Sequence, residues 1–244
     1  MKRTPKRLSI IIPVYNEETF ILSTLRTVIK APVNGLRKEI IVVDDGSTDG
    51  TVGRISYMIS RLKRNSKLQI QLITLKKNQG KGAALKEGFS KSTGDIVIVQ
   101  DADLEYSPHD YSIMLEPFLS NEADVVYGSR FISYRPHRVL YFWHSVANNF
   151  LTTLSNMLTN LNLTDMETGY KAFDGPIIRA IAPLLESKRF GFEPEVTARL
   201  SKIPGIRFYE VGISYRGRTY AEGKKIGWRD GLKALWEIFK YNLL

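Results

Sequence analysis

The chain has 244 residues, of which 43% are hydrophobic and 25% are charged, as in an ordinary globular protein and unlike a disordered one. It contains no cysteine and three histidines, which excludes disulfides, thiol catalysis and cysteine-type zinc sites and leaves little room for a multi-histidine metal site. The formal net charge of +10 favours acidic partners such as nucleotides, nucleic acids or anionic lipids.

The amino terminus is basic and then apolar, as in a signal peptide. Pro13 interrupts the apolar run, and Asn16 and Glu17 follow where a cleavage site would have small residues. No segment contains about 18 consecutive apolar residues, so the sequence predicts no transmembrane helix. We therefore interpret residues 8–14 as a first strand and expect a cytosolic protein.

Short apolar runs and helical stripes alternate along the first 130 residues. The apolar or alternating runs predict strands at 8–14, 39–43, 68–72, 95–99 and 125–127. Apolar residues at helical spacing predict helices at 21–29, 52–62, 83–89 and 111–118. This order predicts an α/β fold with a mostly parallel central sheet flanked by helices. In such sheets, ligands bind beyond the carboxyl ends of the strands.

The pattern changes after residue 130. A broad apolar stripe predicts a long helix at 139–158, and alternation at 209–215 predicts a late strand. A final helix has Trp228, Trp236, Phe239 and Leu243 on one face. With no repeat or clear linker, we predict a single domain that ends in an amphipathic helical elaboration.

Acidic residues follow two of the predicted strands. Asp44 and Asp45 end the second strand. Asp101 and Asp103 follow the fourth, with Glu105 two positions further on. One aspartate after a strand is usually a helix cap or a turn residue. Two acids at positions i and i+2, however, repel each other unless a cation lies between them, and hard oxygen ligands suit Mg²⁺ or Mn²⁺.

The glycine-rich stretch around Lys81 could be mistaken for a phosphate-binding loop. It lacks the spacing of a phosphate-binding P-loop, and no dinucleotide-binding glycine pattern follows the first strand. Both of those nucleotide-binding classes are therefore excluded. Two interpretations of Lys81 remain equal alternatives. It lies near the donor phosphates, or it is a solvated residue at the start of a helix.

Six stretches, in order along the chain, resemble family 2 glycosyltransferases of the GT-A fold. They are IIIPVYNEE (10–18), IVVDDGSTDGT (41–51), NQGKGAALKEG (78–88), DADLEYSP (101–108), VVYGSRF (125–131) and TDMETGYKAF (164–173). They look most like the polyprenyl- and dolichyl-phosphate mannosyl- or glucosyltransferases of that family. The resemblance implies inverting transfer, with residues 1–130 binding a nucleotide sugar and residues 131–244 binding the acceptor.

The resemblance also assigns the donor side of the site. The residues implied to bind the nucleotide sugar are Pro13, Tyr15, Glu17, Asp44, Asp45 and Lys81. Asp101 and Asp103 would hold a divalent cation, Mg²⁺ or Mn²⁺, on the donor diphosphate, with Glu105 as a further ligand. Many family members have glutamine at the position of Glu105, and the glutamate here adds a negative charge.

Basic residues late in the chain match the acceptor side of the family. The resemblance associates Arg130, Arg218 and Lys224 with the phosphate of the acceptor. These residue types suit that role, since arginine binds a phosphate through two parallel hydrogen bonds and lysine adds a point charge. A weaker expectation covers Arg135, Arg138, Arg216 and Lys225. A phosphate monoester has a second pKa of about 6, so it attacks without a general base.

Asp165 lies in the last matching stretch, and we expect it to position the sugar. If the acceptor were instead a saccharide hydroxyl, Asp165, Glu193 and Glu195 would be the candidate bases. A third alternative is a protein without enzymatic activity that binds nucleotides or nucleic acid. Nothing in the sequence resembles a base-reading module, so we expect no nucleic-acid partner.

The sequence thus predicts a metal-dependent enzyme that transfers mannose or glucose from a nucleotide diphosphate sugar to polyprenyl phosphate, either dolichyl or undecaprenyl. The aromatic residues of 139–158 and of the final helix could lie at a membrane surface or be buried against the sheet. We expect peripheral attachment on the cytoplasmic face of a membrane, directly or through a membrane-protein partner.

Overall fold

The computed structural model describes residues 4–62, 68–132, 139, 141–189, 191–217 and 228–244. Within these residues seven strands form one sheet. The strands are β1 (Arg7–Val14), β2 (Arg37–Asp44), β3 (Gln69–Thr74), β4 (Ile96–Val99), β5 (Val125–Ser129), β6 (Lys171–Asp174) and β7 (Phe208–Gly212). Their order across the sheet is β3-β2-β1-β4-β6-β5-β7.

Only β6 runs against its neighbours among the strands described. It pairs antiparallel with β4 on one side and with β5 on the other. All other pairings are parallel. The carboxyl ends of β1, β2, β4, β5 and β7 therefore lie along one edge of the sheet, together with the amino end of β6.

Helices cover both faces of the sheet. They are α1 (Ile21–Lys30), α2 (Thr51–Leu62), α3 (Lys81–Lys91), α4 (Tyr111–Leu119), α5 (Phe142–Thr159), α6 (Gly175–Ile181), α7 (Phe192–Ser201) and α8 (Trp228–Leu243). Ile10 and Ile12 of β1 pack in one hydrophobic layer, and Ile11 between them packs in the other. Successive side chains of a strand point to opposite faces, so β1 is buried on both sides. Its sequence is therefore a nearly continuous apolar run.

The predicted α/β fold with a mostly parallel sheet is confirmed, and the five strands predicted before residue 130 all form. The predicted late strand ends earlier, at Gly212. The sequence reasoning did not predict β6, α6 or α7. β6 is four residues long and begins with a buried lysine, Lys171, so it has neither the length nor the apolar run of a recognisable strand.

The predicted amphipathic C-terminal helix is confirmed as α8, which packs against α5 and α7. Ala234, Ile238 and Tyr241 are buried on it, whereas Trp236 and Leu243 are exposed. No helix in the described part of the chain combines the length and apolar character needed to cross a bilayer.

Candidate functional site

The carboxyl edge of the sheet brings the predicted donor residues together. Pro13 pairs with Val43 near the ends of β1 and β2, and Tyr15, which is partly exposed, follows in the β1–α1 loop. The backbone N–H of Glu17 donates to Thr51 Oγ1 at 3.0 Å, which ties this loop to the start of α2. The β1–α1 loop and the loop after β2 are therefore joined at the carboxyl edge of the sheet.

Asp44 and Asp45 are buried at the end of β2. The Asp45 carboxylate accepts the backbone N–H groups of Gln79 and Gly80, at 2.8 and 2.7 Å. Asp44 accepts the N–H of Ser47 at 3.2 Å. These two carboxylates hold the loops that follow β2 and β3 at the carboxyl edge of the sheet. Their predicted hydrogen bonds to a base or ribose remain a prediction.

Lys81, the first residue of α3, is not a solvated helix start. Its Nζ lies 2.9 Å from Asp101 Oδ1 and 3.2 Å from Glu193 Oε1 on α7. Burial by itself lowers the pKa of Lys81, but the negative charges of Asp101 and Glu193 outweigh it and hold that pKa above its ordinary value. The lysine therefore stays charged and links two carboxylates beneath the end of β4.

The Asp103 turn is tied to the segment that follows β7. Asp103 Oδ1 accepts the backbone N–H of Glu105 at 3.1 Å, and Leu104 between them has the left-handed φ of 59° that is rare for a leucine. The hydroxyl of Tyr215 donates to Glu105 Oε2 at 2.8 Å, and the N–H of Arg216 donates to the Glu105 carbonyl oxygen. These contacts fix the direction of both acidic side chains.

The three carboxylates predicted as metal ligands do not form a ready-made ion site. Among the described residues, no three His, Cys, Asp or Glu side chains are grouped so that they could hold a metal. One carboxylate faces Lys81 and another faces Tyr215. The donor chemistry nevertheless fits Mg²⁺, which binds through one or two carboxylates plus substrate phosphates rather than in an all-protein cage.

The loop that precedes β6 packs directly against Asp101, because the amino end of an antiparallel strand lies beside the carboxyl end of β4. A Cβ atom on Gly169 would come within 2.5 Å of Asp101 Oδ2 and 3.2 Å of Lys81 Nζ. Any larger residue at this position would push the Asp101 carboxylate away from Lys81. The Gly169 N–H donates to the hydroxyl of Tyr106 at 3.0 Å, which holds the loop in place.

Arg130, which follows β5, forms a buried ion pair with Asp165. Its backbone N–H, Nε and Nη2 donate to the two carboxylate oxygens at 3.1, 2.6 and 2.7 Å, and Asn148 Nδ2 adds a fourth hydrogen bond at 3.2 Å. A carboxylate has about four acceptor sites, so those of Asp165 are all used. The structure therefore places Asp165 as the support of Arg130, which differs from the sugar contact expected from the sequence.

Arg130 also lies near the donor acids. Its guanidinium carbon is 5.3 Å from the centre of the Tyr215 ring, and that tyrosine contacts Glu105. Burial alone would lower the pKa of Arg130. The negative charge of Asp165 has the larger effect and holds that pKa above its ordinary value. The arginine is therefore a permanent cation at the same edge as the predicted donor acids.

The other predicted acceptor residues are only partly described. Arg218 and Lys224 lie outside the described residues, as do Arg135, Arg138 and Lys225. Arg216 is described, and its backbone binds Glu105. Of the candidate bases for a hydroxyl acceptor, Glu195 is buried and accepts two backbone N–H groups and Arg199 Nε, so it has a structural role.

Sequence reasoning missed two charged residues at this edge, Glu167 and Lys171. Lys171 is buried, and its Nζ donates to the carbonyl oxygens of Met166 and Thr168. Burial lowers the pKa of Lys171 and raises that of Glu167 to about 8. Both lie in the matching stretch 164–173, and for Lys171 the available signal was a charged residue between Tyr170 and Ala172.

α5 and α8 expose large apolar side chains at helical spacing. The exposed fraction is 69% for Phe142, 77% for Trp143 and 60% for Phe150 on α5, and 60% for Trp236 on α8. The two helices pack against each other. Large exposed apolar patches mark interaction sites with membranes or proteins.

Comparison with solved structures shows the fold. Glucosyl-3-phosphoglycerate synthase from Mycobacterium tuberculosis, in complex with Mn²⁺, uridine diphosphate and phosphoglyceric acid, superimposes with a TM-score of 0.68 at 18% identity, covering 98% of this chain and 79% of that one. The same enzyme with Mg²⁺ and uridine diphosphate gives a TM-score of 0.69 at 20% identity. The expected GT-A fold is confirmed.

Comparison with curated proteins shows the family. An undecaprenyl-phosphate mannosyltransferase of Micrococcus luteus is 30% identical over 97% of this chain and 99% of its own. A dolichyl-phosphate beta-glucosyltransferase of Dictyostelium discoideum is 29% identical, with 90% of this chain and 68% of that protein covered. A dolichol-phosphate mannosyltransferase of Pyrococcus furiosus is 27% identical, with 97% of this chain and 64% of that protein covered. The family profile of glycosyl transferase family 2 matches residues 9–181. The chain therefore belongs to glycosyl transferase family 2 and is a glycosyltransferase.

Proposed function

We propose that this enzyme transfers a hexose, mannose or glucose, from a nucleotide diphosphate sugar to a polyprenyl phosphate with inversion at the anomeric carbon. The names of its curated relatives support this choice of acceptor. The observation that carries it is the meeting of opposite charges at one edge of the sheet. Tyr215 contacts Glu105 of the acidic turn and lies under the cation Arg130.

On the donor side, Asp101 and Asp103 would hold a divalent cation against the diphosphate. A bound Mg²⁺ or Mn²⁺ would supply positive charge that stabilises the diphosphate as it leaves the sugar. Lys81 and Gly169 orient the Asp101 carboxylate, and the Glu105 backbone orients that of Asp103. The loops held by Asp45 would receive the nucleotide.

On the acceptor side, the chemistry requires a cation more than a base. A phosphate monoester is already mostly dianionic near neutral pH, because its second pKa is about 6. Asp165 and Asn148 use Nε and Nη2 of Arg130, so the acceptor phosphate would bind through Nη1. Arg218 and Lys224 would add to this charge. Catalysis then consists of holding two anionic groups in line and stabilising the departing one.

A lipid acceptor places the reaction at a membrane surface. The exposed aromatic side chains of α5 and α8 support this location, since such rings are stable at the boundary between headgroups and acyl chains. Lys233, one turn before Trp236 on α8, is exposed and would face anionic headgroups. We place the enzyme on the cytoplasmic face of that membrane.

The test is a transfer assay in which labelled GDP-mannose and labelled UDP-glucose are each combined with polyprenyl phosphate or with a saccharide acceptor. Every combination is run with and without a chelator. We expect organic-extractable label with one nucleotide sugar, only in the presence of metal. Asp103→Asn should lower the rate by about 10²-fold or more. The surface variant Glu87→Gln is the matched control. Label that enters only the saccharide, or no product at all, would contradict the proposal.

A further inference from the structure

Two carboxylate oxygens near Asp101 are buried without a hydrogen-bond donor. Within the described residues, Glu193 Oε2 and Glu167 Oε1 are both shut off from solvent and have no partner. Buried acceptors almost always have one, so each such oxygen calls for an explanation. Glu193 as a residue is 4% exposed, whereas Glu167 is partly exposed, so the pair lies between the interior and the surface.

Both carboxylates belong to segments that contact Asp101 or its partner Lys81. Glu193 lies on the first turn of α7, and its other oxygen, Oε1, is 3.2 Å from Lys81 Nζ, which is itself 2.9 Å from Asp101. Glu167 lies two residues before Gly169, the glycine whose missing Cβ would touch Asp101. One carboxylate therefore approaches the end of β4 from α7 and the other from the loop before β6.

The nearby lysines donate their hydrogen bonds to other atoms. Lys171 Nζ donates to the carbonyl oxygens of Met166 and Thr168, so the backbone is held on both sides of Glu167. Lys81 binds Asp101 and Glu193 Oε1, and Nε and Nη2 of Arg130 bind Asp165, so neither cation donates to the two unpartnered oxygens. A ligand that brings its own hydrogen-bond donors would complete the site.

We infer that Glu167 and Glu193 bind hydroxyl groups of the sugar carried by the donor and thereby select which sugar is transferred. The inference rests on the proposed function, because the diphosphate at Asp101 places the attached sugar beside these two carboxylates. Sugar hydroxyls both donate and accept, so they satisfy a carboxylate or a carboxylic acid. A site built to hydrogen-bond a substrate hydroxyl strongly rejects the analogue that lacks it.

The experiment compares nucleotide affinity with sugar selectivity by calorimetry in the presence of Mn²⁺. The intact protein is titrated with GDP, UDP, GDP-mannose and UDP-glucose, and then with epimers and deoxy analogues of the preferred donor sugar on the same nucleotide. We expect Glu167→Gln and Glu193→Gln to reduce the preference for the correct sugar by about tenfold or more. Affinity for the nucleoside diphosphate alone should change less than about twofold in Glu167→Gln, as in the control Glu87→Gln, because Glu167 forms no ion pair with Lys81.

Each outcome separates the inference from the proposed function. Unchanged sugar preference in both variants overturns the inference and leaves the proposed function standing. Loss of nucleoside diphosphate binding together with sugar preference also overturns it, because the carboxylates would then belong to the framework of the site. If the unmodified protein binds none of these nucleotides, both the inference and the proposed function fail.

Discussion

At the scale of single residues, Asp165 shows how a site residue can act through its neighbour. All four of its acceptor sites are used by Arg130 and Asn148, and the side chain is fully buried. The resemblance singled out this position as one that positions the sugar. It could not tell that the carboxylate faces an arginine instead of a sugar, because that depends on a contact with a distant loop.

Asp165→Asn should destabilise the protein and lower its activity together. The variant keeps the shape of the side chain but leaves a buried guanidinium without its counter-charge, which costs about 3 kcal/mol or more. Urea unfolding measures this free energy. Glu87→Gln, which removes one partner of a pair exposed at the surface of α3, is the comparison and should change it far less. Equal effects of the two substitutions would show that the Arg130–Asp165 pair does not support the fold.

Glu167 predicts a pH dependence of stability. Burial, together with the charges of Glu193 and Asp165, raises the pKa of Glu167 from 4.5 to about 8, although Lys171 and Arg130 oppose this. The unfolded chain therefore releases this proton near pH 4.5, whereas the folded protein keeps it until about pH 8. The stability that this group contributes is present at low pH and is lost as pH rises between these values.

Unfolding free energies of the unmodified protein and of Glu167→Gln, measured from pH 5 to 8, test this sign. Glutamine does not titrate, so the unmodified protein should lose about 1 kcal/mol or more relative to the variant over this range. Parallel pH profiles would mean that Glu167 titrates as an exposed glutamate does.

At the scale of elements, α5 carries an apolar stripe with no partner among the described residues, and it predicts where the enzyme meets a membrane. Replacing Phe142, Trp143 and Phe150 with serine should weaken binding to anionic vesicles by about tenfold or more, since burying one large apolar side chain contributes about 1.5–3 kcal/mol. Tyr57→Ser, which removes an equally exposed ring from α2, is the control. Vesicle sedimentation measures the effect. If both variants bind equally well, α5 does not contact the membrane.

The elements also show what local sequence could predict. β1, β2 and β4 are buried on both faces, so their apolar runs stand out, and the acids that follow them were placed correctly at the sheet edge. β6 is different, because it is short and its first residue, Lys171, is stabilised by carbonyl oxygens from the preceding loop. No periodicity reveals such a strand, which only pairing with β4 and β5 defines.

At the scale of the whole molecule, the sheet edge is where charges from distant parts of the sequence meet. The motifs located the acidic residues that are predicted to bind the donor in order along the chain. The link from Asp101 through Lys81 to Glu193 joins three separate segments, and the sequence left Lys81 undecided between phosphate binding and a solvated helix start. Strand order decides such contacts, so they became visible only in the folded chain.

The central claim is that a donor diphosphate binds at the edge of the sheet against Asp101 and Asp103. The most direct measurement is a crystal structure with Mn²⁺ and the preferred nucleoside diphosphate, recorded with anomalous scattering to locate the ion. We predict one Mn²⁺ peak in contact with the diphosphate and with a carboxylate oxygen of Asp103 or Asp101. A nucleotide that binds elsewhere, or a Mn²⁺ peak remote from these two aspartates, would contradict the account.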